Sequence, residues 1–166
     1  DVAAWDVVRS FGADDQYITQ VVFHPDGGQV AAVSQNNVVR VWNASTGALQ
    51  RELDQPGQLV VFSADGSTLA TGNMGGRVTL YDVMTGHPTI RLDGNPVTGL
   101  GFGQENTRLW IVRGYDTIEA WDARSGVRLE TFLIGILKEP AFSPDGMLLA
   151  ASGNDNTVRV WRVGGG

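Results

Sequence analysis

Residues 142–161 read FSPDGMLLAASGNDNTVRVW, and this stretch contains the pattern from which the fold can be predicted. It opens with a Pro-Asp-Gly turn at residues 144–146, in which proline presets φ and glycine supplies a positive φ. An apolar run over residues 147–151 follows and stops at the small polar residues 153–156. The chain then alternates apolar and polar side chains up to Trp161, as a half-buried strand requires. The stretch therefore predicts short antiparallel strands joined by tight turns.

The same pattern recurs four times along the chain, with a period of about 40 residues. The phenylalanine that opens each unit recurs at steps of 39, 40 and 40 residues, and an aromatic residue follows each one 19 positions later. Each unit can hold four short strands, and no stretch with helical periodicity competes with them. Evenly spaced strands with one aromatic motif per unit predict a β-propeller or a related closed β array. The aromatic pairs are Phe23 and Trp42, Phe62 and Tyr81, Phe102 and Trp121, and Phe142 and Trp161.

The units resemble the repeats of the WD-repeat β-propeller family over essentially the whole chain. The resemblance is carried by the Val-Arg-Val-Trp ending at Trp161, by Tyr81-Asp82 and Trp121-Asp122, and by the Ser-Pro-Asp-Gly type of turn. It implies an all-β propeller of WD-repeat type, with four blades of four short antiparallel strands per chain. The usual opening Gly-His dipeptide is absent, and the aspartate expected six residues before the closing aromatic survives only as Asp155. The other units have Asn36, Gly75 and Tyr115 there, so most of the family's side-chain hydrogen-bond network is expected to be missing.

We interpret residues 1–166 as a single β-propeller array. The last unit holds only three strands, because Trp161 is followed by two residues and a glycine tail. Only six residues lead from Trp5 to Phe11, too few for a turn and a second strand, so residues 2–11 are predicted to form one strand that could complete the last unit. The predicted division is a closing strand at 1–11, blades at 12–53, 54–92, 93–132 and 133–163, the last completed by the N-terminal strand of the same or another chain, and a tail at 164–166.

The strand count leaves three architectures open. Four blades could close as a ring by themselves, two chains could join head to tail into an eight-bladed ring by exchanging the N-terminal strand, or the chain could be a piece of a larger propeller. A free half-ring would expose two apolar blade faces, which argues against a lone open monomer. We therefore favour the two-chain ring or a larger parent over the four-bladed monomer.

Composition excludes several functional classes. The chain has no cysteine, so a disulfide framework, a thiolate zinc site and a cysteine nucleophile are excluded, and a cytoplasmic location is the default expectation. The formal net charge is −6, with 18 carboxylates against 12 basic residues, so nucleic acid is not an expected partner. The apolar runs are far shorter than the roughly 20 residues of a membrane helix, and the N-terminus lacks the pattern of a signal peptide. We expect no membrane association.

The sequence offers little catalytic chemistry. Its only histidines, His24 and His87, both fall in turns, where a surface position is the simpler interpretation. Turn formation also explains the repeated aspartates Asp26, Asp65 and Asp145. No nucleophile elbow, metal-binding histidine pair, phosphate-binding loop or calcium loop is present. The sequence therefore predicts no enzyme activity, no cofactor and no metal site.

Departures from the repeat point to candidate binding residues. Trp110 stands where the other units have alanine, and a two-residue turn would place it opposite Gly101, which favours a packing role. Tyr115 has no such partner and lies in a loop predicted to be exposed on the narrower face. Residues 133–137, Leu-Ile-Gly-Ile-Leu, put an apolar run where a solvated loop is expected, which indicates either a contact between blades or a protein interface. The candidate binding residues are Tyr115, Asn36, Asp116, Asp155, Ile134 and Ile136.

Three functional hypotheses follow from these features. The first is a non-catalytic protein-interaction scaffold or recognition module with a protein or peptide partner, as the resemblance to WD-repeat domains implies. The second is a self-assembling half-propeller, natural, excised or engineered, that forms an eight-bladed ring from two chains. The third is a hydrolase or lyase with a site in the propeller channel, which needs a cluster of polar groups there that the sequence does not place.

Overall fold

The structure is a computed structural model that describes residues 6–12, 16–103, 106–135, 138–143 and 145–163. The strands of these residues, numbered in chain order, are β1 Ile18–Phe23, β2 Gln29–Ser34, β3 Val39–Asn43, β4 Leu49–Glu52, β5 Leu59–Phe62, β6 Thr68–Gly72, β7 Val78–Asp82, β8 Pro88–Leu92, β9 Val97–Phe102, β10 Arg108–Arg113, β11 Thr117–Asp122, β12 Arg128–Leu133, β13 Lys138–Phe142, β14 Leu148–Ser152 and β15 Val158–Arg162. They form four antiparallel sheets in sequential order: blade 1 (β1–β4), blade 2 (β5–β8), blade 3 (β9–β12) and blade 4 (β13–β15). The predicted all-β propeller of WD-repeat type with four blades is confirmed.

The Asp-Gly turns join the first two strands of a blade, and the turn of blade 2 shows how. Asp65 Oδ1 accepts hydrogen bonds from the Ser63 hydroxyl at 2.6 Å and from the Ser67 backbone N–H at 2.9 Å. Gly66 has a φ of 74°, and its N–H donates to the Ser63 carbonyl at 2.9 Å. The aspartate therefore braces the turn while the glycine supplies the positive φ, as the sequence predicts.

The predicted register of the unusual third unit is also confirmed. Trp110 pairs with Gly101 across β9 and β10, and the indole is buried with 1 % of its surface exposed. A Cβ atom on Gly101 would lie 2.5 Å from the ring of Phe142 in blade 4. Gly101 therefore makes room for the next blade as well as standing opposite Trp110.

The blades pack in chain order, with their first strands β1, β5, β9 and β13 side by side around the inner edge. An apolar cluster fills each junction between consecutive blades, and the middle strands contribute most of it. These clusters include Val39, Val41, Val60, Phe62 and Tyr81 between blades 1 and 2, Val78, Leu80, Val97, Phe102 and Leu109 between blades 2 and 3, and Trp110, Ile118, Ala120, Leu149 and Ala151 between blades 3 and 4.

The two outer blade faces of this arc remain largely uncovered by the described residues. In blade 4, Val158 and Val160 are 75 % and 60 % exposed. In blade 1, Val21 and Phe23 are 55 % and 66 % exposed. The four blades therefore form an open arc whose two ends both present apolar side chains to solvent.

The segment 6–12 lies on blade 1 and forms no strand. The Phe11 ring packs against Trp42 with 5.7 Å between ring centroids, and Arg9 Nη1 donates a hydrogen bond to the Thr46 carbonyl at 3.3 Å. The edge of β15 lies at the other end of the arc, so residues 6–11 do not complete blade 4 of their own chain as a closing strand would. Residues 1–5 of the predicted strand lie outside the described residues, and pairing with another chain stays a prediction.

Candidate interaction surface

The loops between the second and third strands of the blades lie beside the linkers that lead from one blade to the next. The Gly57 N–H donates to the Asn37 carbonyl at 2.9 Å, and the Val97 N–H donates to the Asn73 carbonyl at 3.1 Å. The Gly114 N–H makes the same kind of bond to the Pro96 carbonyl, at 2.7 Å. We call the surface built in this way the loop face. It comprises the loops 35–38, 73–77, 114–116 and 153–157 with the linkers 53–58 and 93–96.

A groove of about 560 Å³ opens across blades 2, 3 and 4 at the loop face. Tyr115 and Met74 line it with side chains that are 60 % and 50 % exposed. Lys138 and Glu139 add one charge of each sign from β13. A groove that combines apolar surface with a few polar groups can accommodate a peptide segment or a side chain of a partner protein. The other lining residues are Gln58, Leu59, Val97, Thr98, Pro140 and Ser152.

The backbone around Tyr115 explains why this side chain is exposed. Gly114 begins the turn with a φ of 59°. The Gly114 carbonyl accepts a hydrogen bond from the Thr98 hydroxyl at 2.6 Å. These contacts fix the turn against β9 and leave the phenol ring on the surface, as the sequence predicts for this loop.

Asp116 and Ile134 lie next to each other and close to this loop. The Ile134 N–H donates to the Asp116 carbonyl at 3.0 Å, and Asp116 Oδ1 accepts a bond from the Thr117 hydroxyl at 2.9 Å. Ile134 is half-buried against the cluster between blades 3 and 4, which favours the blade contact for this part of the apolar run. Leu133 beside it is 78 % exposed. Ile136 lies outside the described residues.

Asn36 and Asp155 occupy the same repeat position in blades 1 and 4, and neither lines the groove. Asn36 Oδ1 accepts a hydrogen bond from the Ser34 hydroxyl at 2.6 Å. Asp155 accepts bonds from the Thr157 hydroxyl, at 2.6 Å, and from Arg159. The hydroxyl bond is the main reason why the pKa of Asp155 lies below its usual range. Both side chains therefore brace their own loops. Their role as binding residues stays a prediction.

A buried ion pair lies beneath the loop face and was not predicted from the sequence. Arg113 Nε lies 2.6 Å from Glu119 Oε2, and the two side chains are only 2 % and 9 % exposed. Arg113 Nη1 also donates to the carbonyls of Gly76 and Asn95, each at 2.8 Å, so this one side chain ties blade 3 to the loop of blade 2 and to the linker. The available signal is that Arg113 replaces the small residues Ser34, Asn73 and Gly153 of the other units.

Burial and neighbouring polar groups together shift the pKa values of two titratable side chains, Glu119 and Tyr81. Burial raises the pKa of Glu119, but hydrogen bonds from Arg113 and Trp121 outweigh it and hold that pKa below its usual range. Burial raises the pKa of Tyr81 to about 12, and the Asp54 carboxylate beside the hydroxyl adds to the shift. The Tyr81 hydroxyl donates to Asp54 Oδ1 at 3.2 Å, so blade 2 is also linked to the segment that precedes it.

His24 connects two Asp-Gly turns. Its Nδ1 lies 2.6 Å from Asp26 Oδ1, and its Nε2 lies 3.0 Å from the Gly66 carbonyl in blade 2. A Cβ atom on Gly66 would lie 2.1 Å from that Nε2, so the contact between these turns is close. His24 therefore bridges blades 1 and 2.

In the part of the chain that the structure describes, no three histidine, aspartate or glutamate side chains are grouped so that they could hold a metal ion. The same residues include no helix long and apolar enough to cross a membrane.

Comparison with known proteins agrees with this architecture. The family model described as "WD domain, G-beta repeat" matches residues 5–43 and 138–162. These two matches cover strands of the first and the last blade and include their closing tryptophans, Trp42 and Trp161. The first and the last blade of this chain are therefore similar to WD repeats.

Two curated proteins are similar to most of the chain. Transducin beta-like protein 3 of Rattus norvegicus is 29 % identical over 97 % of this chain and 22 % of its own length. The small ribosomal subunit protein RACK1y of Oryza sativa subsp. japonica is 28 % identical over 86 % of this chain and 46 % of its own length. The chain therefore spans less than half the length of either relative.

Solved structures share the fold of this chain. The structure of U3-55K matches 92 % of this chain and 50 % of its own length, with a TM-score of 0.76 and 18 % identity. The crystal structure of the computationally designed Ika4 protein matches 93 % of this chain and 96 % of its own length, with a TM-score of 0.75 and 22 % identity. These similarities concern the fold alone.

Proposed function

We propose that this WD-repeat propeller is a non-catalytic protein-interaction module that binds a protein or peptide segment in the groove of the loop face. The observation that carries the proposal is the Tyr115 ring, which is 60 % exposed on the groove wall. Met74 lines the same groove and is half-exposed. Tyrosine and methionine are enriched in protein interfaces, and tyrosine is among the residues that contribute most binding energy there.

The charges of the chain also support a protein partner. Phosphate backbones are bound by arranged lysine and arginine side chains, whereas this groove carries Lys138 beside Glu139 and the chain has a formal net charge of −6. A peptide can use both signs of charge and the apolar ring together. The groove therefore suits a peptide segment of mixed character better than a nucleic acid.

A peptide-display selection against the purified chain tests this function. We expect the selected peptides to lose at least about tenfold in affinity for a Tyr115→Ala variant, which corresponds to about 1.4 kcal/mol. Tyr17→Ala is the matched control, because Tyr17 is 79 % exposed and does not line the groove. Peptides that bind Tyr115→Ala as tightly as the parent chain would contradict the proposal.

A second candidate function is self-assembly of two half-propellers into one eight-bladed ring. The observation that favours it is the exposure of Val158 and Val160 at one end of the arc and of Val21 and Phe23 at the other. Apolar faces of this kind are covered in stable proteins. We expect light scattering on the purified chain to give about twice its mass of 17.8 kDa. A mass of one chain at all concentrations would contradict the assembly. No observation on the described residues favours a hydrolase or lyase, which we do not propose.

A further inference from the structure

The junction between blades 1 and 2 shows how the fourth strand of one blade contacts the next blade. Arg51 of β4 reaches the turn between β7 and β8, where its Nη1 donates to the Thr85 carbonyl at 2.9 Å. Its Cδ lies 2.8 Å from the position that a Cβ atom on Gly86 would take. The fourth strand of a blade is therefore fitted against a Thr-Gly turn of its neighbour.

Arg9 makes the same contacts with blade 1. Its Nη1 donates to the Thr46 carbonyl at 3.3 Å, and its Cδ lies 3.1 Å from the Cβ position of Gly47. Thr46 and Gly47 precede Thr85 and Gly86 by one repeat of 39 residues. Arg9 thus relates to blade 1 as Arg51 relates to blade 2.

Phe11 extends this equivalence by two residues. Leu53, two positions after Arg51, is buried in the cluster that contains Tyr81. Phe11, two positions after Arg9, packs on Trp42, which is the counterpart of Tyr81 in blade 1. The segment 6–12 therefore has the contacts of a fourth strand that belongs to a blade preceding blade 1, although none of the described residues supplies the inner strands of that blade.

Space for apolar side chains of a neighbouring strand exists beside the segment. An apolar pocket of about 370 Å³ separates residues 7–12 from blade 1, and Val21 and Phe23 line it. At the closed junction, the counterparts of these two residues are Val60 and Phe62, which share a cluster with Val39 and Val41 of the preceding blade.

Blade 4 presents the side chains that fit this space. Val158 and Val160 stand three and one positions before Trp161, as Val39 and Val41 stand before Trp42. They are 75 % and 60 % exposed, and nothing among the described residues pairs with the outer edge of β15. Blade 4 and the segment 6–12 on blade 1 are thus two parts of the same kind of junction, held at opposite ends of one arc.

We infer that residues 6–12 of one chain form the fourth strand of blade 4 in a second copy, so that two copies close an eight-bladed ring through two identical junctions. This inference rests on the two-chain assembly proposed above and specifies its interface. A head-to-tail contact of this kind closes when the rotation between copies is a half turn. The exchanged strand also removes the open edge of β15, which is otherwise a site for uncontrolled pairing.

The closed blades define the register of the exchanged strand. Arg40 pairs with Glu52 in blade 1, and Glu119 pairs with Thr131 in blade 3. Arg159 is the counterpart of Arg40, and Ser10, which follows Arg9, is the counterpart of Glu52, which follows Arg51. We therefore expect Arg159 to pair with Ser10 of the second copy. Directly opposed residues of an antiparallel pair lie close enough for a disulfide, and the chain has no other cysteine to interfere.

The test is disulfide cross-linking at this pair. We expect the double variant Ser10→Cys, Arg159→Cys to give a covalent dimer on a non-reducing gel, and an equal mixture of the two single variants to give a covalent dimer held by one disulfide. Each single variant alone, and Ser10→Cys combined with Ser125→Cys on an exposed turn of blade 3, are controls that should remain monomeric on the gel.

The outcomes separate strand exchange from assembly. A disulfide within one chain would show that the segment closes its own ring, and the absence of any disulfide would show that it does not pair with β15. Either result overturns the exchange. If light scattering still gave about twice the 17.8 kDa mass of one chain, assembly would survive without exchange, whereas a single-chain mass would overturn both.

Discussion

The same repeat positions are buried in one region of the molecule and exposed in another. Val39 and Val41 of blade 1 are 0 % and 4 % exposed, whereas Val158 and Val160 of blade 4 are 75 % and 60 % exposed. Both pairs lie on the third strand of their blade and pair in the same way with its second strand. The difference therefore comes from the neighbouring blade. A blade of this propeller cannot bury its own apolar face, and its stability depends on the junction with the next one.

The largest expected effect is at the junction between blades 3 and 4. Trp110→Ala should destabilise the chain by about 3–5 kcal/mol, because it removes a fully buried indole and leaves a cavity between the blades. Trp161→Ala is the comparison at the open end, where the ring is only half-buried, and should cost clearly less in the single chain at low protein concentration. Urea unfolding followed by circular dichroism measures both. A near-zero loss for Trp110→Ala would mean that this junction contributes little to folding.

The ion pair under the loop face gives the next effect. Glu119→Gln should cost about 3 kcal/mol, because it leaves the buried Arg113 charge without its counter-charge. The comparison is Asp93→Asn, since Asp93 pairs with Arg77 at a similar distance of 2.9 Å but both side chains are exposed, at 71 % and 47 %. Exposed ion pairs contribute little, so Asp93→Asn should cost under about 1 kcal/mol.

Equal losses from Glu119→Gln and Asp93→Asn would show that burial does not set the strength of these ion pairs. A further variant that removes both buried charges, Arg113→Met with Glu119→Leu, should recover part of the loss, because no unpaired charge then remains inside. The same urea unfolding experiment reports all three variants.

A matched pair of valine variants tests the opening comparison directly. Val78→Ala should cost about 2 kcal/mol, since Val78 is fully buried between blades 2 and 3 and the change removes two methyl groups. Val158→Ala, at the same repeat position in blade 4, should cost less than about 0.5 kcal/mol in the isolated chain. Thermal unfolding at low protein concentration measures both. A large loss for Val158→Ala under these conditions would show that the outer face of blade 4 is already covered.

The local features of the fold could be predicted from the sequence. The register of Trp110 with Gly101 and the bracing of the Asp65 turn both follow from residues a few positions apart, where period-two alternation and turn chemistry decide the structure. The count of four blades follows from the repeat. The exposure of Tyr115 follows from its loop in the same way.

Features that depend on two blades at once could not be predicted. Arg113 is buried because the Gly76 carbonyl of a blade 2 loop and the Asn95 carbonyl of the following linker accept its hydrogen bonds. No sequence pattern within blade 3 predicts these two partners. The groove beside Tyr115 includes Lys138 and Glu139 because blade 4 turns its first strand toward blade 3. The segment 6–12 likewise takes its place from the surface of blade 1. In each case the sequence gives the residue but not the neighbour.

Acidification should have the smallest effect on stability. It should destabilise the closed junctions and the open ends of the arc to the same extent. The main cause of the low pKa of Asp82 is a hydrogen bond from the Thr85 N–H, and that of Asp145 is a bond from the Ser143 hydroxyl. Because each pKa is lower in the folded than in the unfolded chain, each group stabilises the fold above the ordinary aspartate pKa of about 4 and loses this contribution as the pH falls through its folded value.

Turns of this type occur in closed and open blades alike, so acid acts on both. We expect the melting temperature to fall gradually below about pH 4, by the same amount in the parent chain and in Val158→Ala. Asp82→Asn, which cannot ionise, should reduce that dependence slightly, because other aspartates with lowered pKa values remain. If Val158→Ala were more sensitive to acid than the parent chain, the turns of blade 4 would depend on its uncovered face, and the separation between local turn chemistry and junction packing would fail.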